Sequence, residues 1–409
     1  MADPTPQPLG ALEGIRVVDC STVLAGPYCT MLLADLGANV IKVEPPEGDA
    51  TRGWGPPWVG DEAAGTRTAA YFLSVNRNKR SLRLDLRPEA GREVLRRLIS
   101  RGDVLVENFR AGGFARLGFT EEMLAGLNPG LVHLAISGYG ATGPDATKPG
   151  YDFIVQATGG LMSITGAADG AGGGSTKVGV AIADVVAGLF GAVSVLAGLL
   201  ARPRAGGQRV DVSLLQSTLA VLVNQAQNAF VTGRSPGRLG NAHPNIVPYQ
   251  TFRTADGEIA IGVGSERQWP RFCDALGAPE LAADPRFATN GDRVGARDTL
   301  VPMLAARIEI ATSAEWLARL AAAEVPAGPV LDLVDAFSTP QARALGARVP
   351  MTHPELGPVD QVRSPFDFAV TPAGIRTPPP LLGEHSLEVL EEIGYKVEDI
   401  AGLRAAGVI

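Results

Sequence analysis

The residue with the most pointed chemistry is Asp184, the single charge in the run VGVAIADVVAGLFGAVSVLAGLL, Val178 to Leu200. An acid among valines, alanines and isoleucine admits two readings that do not exclude each other. Asp is a favoured helix N-cap, so GVAIAD could be the chain entering a helix that starts after residue 184. At a helix start the free N–H groups and the dipole hold a carboxylate while apolar walls keep water away. Such a group can act as a nucleophile towards an acyl carbon, or as a base. Tyr151 and Asp152 follow Lys148-Pro149-Gly150 in a Gly/Pro-rich stretch. This segment is either simple turn chemistry or a polar site at a sheet edge. Arg77, Asn78, Lys79 and Arg80, with Arg87, Arg110 and Arg116, form local positive charge in an acidic chain. They read as a solvated face or as a phosphate-binding patch. His243, with Asn241 and Tyr249 nearby in GNAHPNIVPY, lies in a loop that is either incidental or a lid.

Other chemistries are excluded by composition and spacing. The four histidines are far apart, and Cys20, Cys29 and Cys273 form no Cys-x-x-Cys pair, so no metal site is expected. Unpaired cysteines suit a reducing compartment, and the chain reads as cytoplasmic. A net charge of −7 argues against nucleic acid, whose phosphates call for clustered Lys and Arg. The first strand is followed by TVLAGP, with one glycine and no G-x-G-x-x-G, and no Walker loop exists, so neither an NAD site nor a Walker ATP site is expected. MADPTPQPLG has neither the basic nor the apolar region of a signal peptide. Residues 178–200 would span about 34 Å as a helix, long enough for a bilayer. Asp184 within the run, and glycines at 188, 191 and 198, favour instead a helix buried in a soluble core.

The elements that must position these residues alternate along the chain. Strands are expected at 15–21, 39–44, 81–86, 104–109 and 131–137, with helices at 27–36, 88–100 and 120–126. This order means a parallel sheet with helices on both faces, where ligands bind beyond the carboxyl ends of the strands. Residues 209–223 read as strand into helix. Asp256-Gly257 between β patterns at 251–264 signals a hairpin. Residues 341–385 read as extended and Pro-rich, and Ser386 to Ile393 as a helix. The α/β pattern gives way near residue 230, with a second boundary near 335.

Taken in order, LEGIRVVDCSTVLAGPYCTMLLADLGANVIKVEPPEGDATRGW, NRNKRSLRLDL, VLVENFRAGGFARLGF, GYDFIVQATGG, GVAIADVVAG, GGQRVDVSLLQS, DPRFATN, VPAGPV and PPLLGEH resemble the class III coenzyme A transferase family along nearly the whole chain. The likeness is to the formyl-CoA transferase and succinyl-CoA:dicarboxylate CoA-transferase types, and the family is related to the α-methylacyl-CoA racemases. The resemblance implies an α/β fold. A large Rossmann-like domain would form from residues 1–229 and 336–409, with a smaller α+β domain at 230–335, and two chains would interlock as a homodimer. It implies transfer of CoA from an acyl-CoA donor, succinyl-CoA, to a dicarboxylic acid through an aspartyl-CoA thioester on Asp184. The CoA thioester would be a substrate, with no tightly bound cofactor, metal, nucleic acid or membrane.

By matching motif positions, the CoA contacts would be Val23, Leu24, Ala25, Leu84, Arg87, Asn108, Phe109, Arg116, Lys148 and Tyr151. Asp152, Asn241, His243 and Tyr249 would serve substrate or lid. Two departures bear on the acceptor. Formyl-CoA transferases carry Gln where this chain has Leu24, which counts against oxalate, and GNAHPNIVPYQ replaces their glycine run, which is closer to enzymes of larger dicarboxylates such as glutarate. Arg52, Arg234 and Arg238 are candidates for pairing a distal carboxylate. The racemase alternative would use Asp184 in α-proton transfer opposite a histidine, but Tyr151 stands where that histidine belongs.

Overall fold

Six parallel strands form, of which the third and sixth are polar and the others carry short runs of valine, isoleucine and leucine: β1 (Arg16–Cys20), β2 (Asn39–Glu44), β3 (Lys79–Arg83), β4 (Val104–Glu107), β5 (Val132–Ser137) and β6 (Gln208–Ser213). The computed structural model describes residues 10–409. The strands lie in the order β3-β2-β1-β4-β5-β6, every neighbour parallel. β3 begins two residues before the expected strand. Lys79 pairs with Val40 in the ladder, and its ammonium is satisfied in the interior by Asp19, Asn76 and the Pro27 carbonyl. A basic residue enters a strand when each of its donors finds an acceptor.

Alternation along the strands feeds two cores. Val17, Val40, Val104 and Val106 face α1 (Ala25–Asp35), whereas Val18, Ile41 and Leu105 face α2 (Glu89–Arg101) and the C-terminal residues Val389, Leu390 and Ile400. The alternation breaks at the carboxyl ends of the strands on the α1 side. There Asp19, Lys42 and Glu44 replace apolar residues and are buried. A short helix α3 (Asp152–Thr158) was not anticipated, nor was a terminal helix at Val397–Ala405.

The apolar run forms α4 (Ile182–Ala205). By length and composition it is able to cross a membrane. Here it packs one face, made of Ala187, Gly188, Gly191, Val195 and Gly198, into the α1-side core. The other face leaves Leu189, Val193 and Leu200 exposed, so the helix is half-buried rather than enclosed. The small residues set how closely it approaches. A Cβ at Gly188 would lie 2.6 Å from the Ala25 carbonyl oxygen, a backbone atom that cannot rotate away. Gly188→Val should therefore cost at least about 2 kcal/mol of stability, read from the urea midpoint of unfolding.

By backbone contacts the chain divides into two units: residues through Leu161 with Val178–Gln227 and Gln341–Ile409, and Met162–Lys177 with Asn228–Pro340. Residues 162–177 thus group with the smaller unit. Within that unit, Tyr249–Arg253 and Glu258–Gly262 form the antiparallel hairpin around Asp256-Gly257, and Ala327–Pro329 adds a third strand. Trp269, Phe272, Phe287 and Trp316 fill its core.

Candidate active site

The strand order reverses between β1 and β4, so the loops leaving these two strands diverge and open a crevice at the carboxyl edge of the sheet. A cavity of about 280 Å³ lies there. Val23, Leu24 and Ala25 line it from the end of β1, and Asn108 and Phe109 from the end of β4. Lys148, Tyr151 and Asp152 reach it from the segment after β5, and Asp184 from α4. The two loops are tied together. The Asn108 side-chain amide accepts from the Thr22 N–H at 2.9 Å and donates to the Thr22 carbonyl at 2.7 Å. Next to that clamp Val23 has φ +70°, a left-handed conformation unusual for a β-branched residue and commonly found at functional sites.

Asp184 does not cap its helix. α4 begins at Ile182, which places Asp184 in the first turn, with the backbone ahead of it set by the loop rather than by the side chain. The cap comes from elsewhere. Asp152 accepts from the Ala183 N–H at 2.8 Å and from Gln156 Nε2 at 2.7 Å, and Gln156 Oε1 accepts from the Val178 N–H. Asp152 thereby satisfies a free N–H of the turn that carries Asp184. The Asp184 carboxylate itself has no hydrogen-bond or ion-pair partner among the described residues. Burial, and secondarily the like charge of Asp152, push it from 3.8 up to about 7. A helix dipole acts in the opposite sense but contributes only roughly 0.3–1 kcal/mol, under one pKa unit, so desolvation prevails. The site therefore presents an unpaired, basic carboxylate beside apolar walls.

Tyr71 is a neighbour that sequence spacing does not mark. It packs in one small cluster with Val23, Ala181 and Val185. Burial first, then the charges of Asp184, Asp152 and Asp49, push its phenol up to about 12. Its ring meets Trp54 edge-on at 5.4 Å. Nothing in AAYFLSVN distinguishes it from a core aromatic.

Several other candidates lie away from the cavity. Leu84 is 1% exposed and packs in the α2-side core, so its side chain is closed to a ligand. Arg87 is exposed and folds back on Asp85. Arg116 is exposed and donates to the Ala111 carbonyl. Of the basic cluster, Arg77 is internal and pairs with Asp35 at 2.6 Å, and Arg80 binds Glu388 and Glu392, whereas Arg110 is exposed and lines the Asp184 cavity. Arg52 is held by Glu44 at 2.8 Å, and Arg238 by Asp169, so neither is a free guanidinium. Asn241, His243 and Tyr249 belong to the smaller unit. There Asn241 and Tyr249 line an open groove of about 870 Å³, while His243 accepts from the Asn245 N–H and its ring lies tilted against that of Tyr249. No histidine among the described residues lines the Asp184 cavity, and Tyr151, standing where the racemase histidine belongs, is 61% exposed.

Along nearly its whole length the chain is similar to known proteins. A model described as CoA-transferase family III matches residues 12–386. The succinate–glutarate CoA-transferase of Agrobacterium fabrum is 42% identical over 384 residues, 93% of this chain and 95% of that one. The succinyl-CoA:glutarate CoA-transferase of Mus musculus is 40% identical over 401 residues, 97% of this chain and 90% of that one. A CAIB/BAIF family protein from Brucella suis, solved by crystallography, superposes with a TM-score of 0.83 at 42% identity, over 95% of this chain and 100% of that one. Matched from the first strand to the helix that begins at Ser386, the chain belongs to CoA-transferase family III and is an enzyme of that type.

Proposed function

We propose that this enzyme moves CoA from succinyl-CoA to a dicarboxylic acid of the glutarate type, with Asp184 as the residue that carries the acyl group and then the sulfur. The observation that carries the mechanism is the unpaired, raised carboxylate of Asp184 in the cavity beyond β1 and β4. The choice of substrates rests on the relatives' activities. In the first step an Asp184 oxygen attacks the thioester carbon, the C–S bond breaks and CoA leaves as thiolate, forming a succinyl–aspartyl anhydride. The thiolate attacks the Asp184 carbonyl of that anhydride, succinate leaves, and an aspartyl-CoA thioester remains. The acceptor carboxylate attacks this thioester and expels the thiolate, giving the acceptor–aspartyl anhydride. The thiolate then takes the acceptor's acyl carbon, and Asp184 is returned as carboxylate. No proton is gained or lost across the cycle, which is why a site without a histidine suffices.

In this reading Val23, Leu24, Ala25, Asn108, Phe109, Lys148 and Tyr151 hold the CoA arm, and Asp152 positions the first turn of α4. The exposed apolar face of α4 suits burial in an interlocked homodimer. The smaller domain at 230–335 would be a separate folding unit, and the protein would be cytoplasmic. The deciding experiment supplies succinyl-CoA and glutarate and follows products by mass spectrometry. Glutaryl-CoA and succinate should appear in equal amounts. Deuterium wash-in at the α-carbon of a 2-methylacyl-CoA without acyl exchange would refute the assignment.

A further inference from the structure

The segment facing Asp184 is built on a buried ion pair that the reaction scheme does not use. Asp49 follows β2 in the sequence EPPEGD and is 2% exposed. Its carboxylate accepts from the Val23 N–H, at 3.3 Å and 3.4 Å to its two oxygens, and from Thr51 N–H and Oγ1 at 3.0 Å and 2.8 Å. Lys42 Nζ lies 2.9 Å from Asp49 Oδ2, both side chains fully buried, and the same ammonium donates to the Ser21 carbonyl at 2.9 Å. Residues 21, 22 and 23 are thus held in succession by Lys42, Asn108 and Asp49. The held residue, Val23, is the one with positive φ, a conformation that persists only where its surroundings over-determine it. A buried ion pair is a poor source of stability, since apolar residues of like volume do as well. A fixed acceptor under a strained turn is what it provides instead.

We propose that Asp49 is a positioning residue for the transfer reaction: braced by Lys42, it holds the Val23 N–H and so fixes the Thr22–Ala25 wall opposite Asp184. This rests on the reading of Asp184 as the reacting carboxylate. An interaction that sets the geometry of the reacting groups changes kcat more than substrate affinity.

Two variants separate positioning from stability. Asp49→Asn keeps the shape, but its one amide oxygen cannot serve Val23, Thr51 and Lys42 together. Asp49→Glu keeps the charge for Lys42 and displaces the acceptor from Val23 by a methylene. Both should lower kcat for succinyl-CoA:glutarate transfer by about 10–100-fold, a larger factor than any rise in KM for succinyl-CoA, and Asp49→Glu should do so while lowering the melting temperature no more than the control below. The control is Asp35→Asn, which breaks a pair of similar burial with Arg77 at the far end of α1. It should lower the melting temperature and leave kcat unchanged. Wild-type kcat in either Asp49 variant, or an equal fall in Asp35→Asn, would overturn the proposal. Asp184→Asn in the same assay reports separately on the site: if that variant turns over normally, the reading of the cavity is at fault rather than the role of Asp49.

Discussion

Asp184→Asn should abolish CoA transfer, lowering kcat by about 10⁴-fold or more. The amide has the size of the carboxylate but neither its charge nor its nucleophilicity, and no second carboxylate stands ready to substitute. Asp152 lines the same cavity, but its oxygens are committed to the Ala183 N–H and to Gln156. Wild-type protein mixed with succinyl-CoA alone should acquire CoA on the peptide containing residue 184, seen by mass spectrometry, and the variant should acquire none. The same substitution should raise the melting temperature at pH 8. The sign follows from the shift. The folded value, about 7, lies above the ordinary 3.8, so the fold favours the protonated acid. That preference is fully present below 3.8 and is lost as pH rises through 7, where the folded chain must carry an uncompensated charge. An amide carries none. A variant that is inactive but less stable at pH 8 would mean that Asp184 is held by contacts this structure lacks.

The second large effect is on the pH profile. A nucleophilic carboxylate must be ionised in the free enzyme, so kcat/KM for succinyl-CoA should fall about tenfold per unit below a midpoint near 7. Burial is the main cause of that midpoint and the charge of Asp152 the second. Asp152→Asn retains an amide oxygen for the Ala183 N–H while removing the like charge. Its acid limb should move to lower pH by on the order of one unit or less. At pH 5.5 the variant should retain a larger fraction of its own plateau rate than the wild type does. An unmoved limb, or one moved to higher pH, would show that Asp152 does not set the charge of Asp184. The comparison uses normalised profiles because Asp152 also braces α4, and a uniform loss across all pH values would report on that brace alone.

The parallel sheet was legible because most of its strands are short apolar runs and several helices begin on a local signal. Asn39–Glu44 begins and ends where the residue pattern places it. Thr120 caps the helix that follows, accepting from the Met123 N–H. Helix α3 was hidden because DFIVQAT spans barely two turns, too short for a period to show. The basic stretch at residues 77–80 was misleading for a physical reason. Its charges are neutralised by partners distant in sequence, Asp35, Asp19 and Glu392, and no local pattern reveals whether a lysine will meet such a partner.

By itself the sequence determined the class of sheet, the absence of a dinucleotide loop, and Asp184 as the acid most at odds with its neighbours. Those are properties of local pattern and composition. Only the tertiary structure decided that Asp152 rather than Asp184 accepts from the Ala183 N–H at the start of α4, that Tyr71 stands by the site, and that Lys42 and Asp49 brace Val23. Each of these depends on groups brought into contact by chain crossovers, and such contact is set by packing rather than by the order of residues.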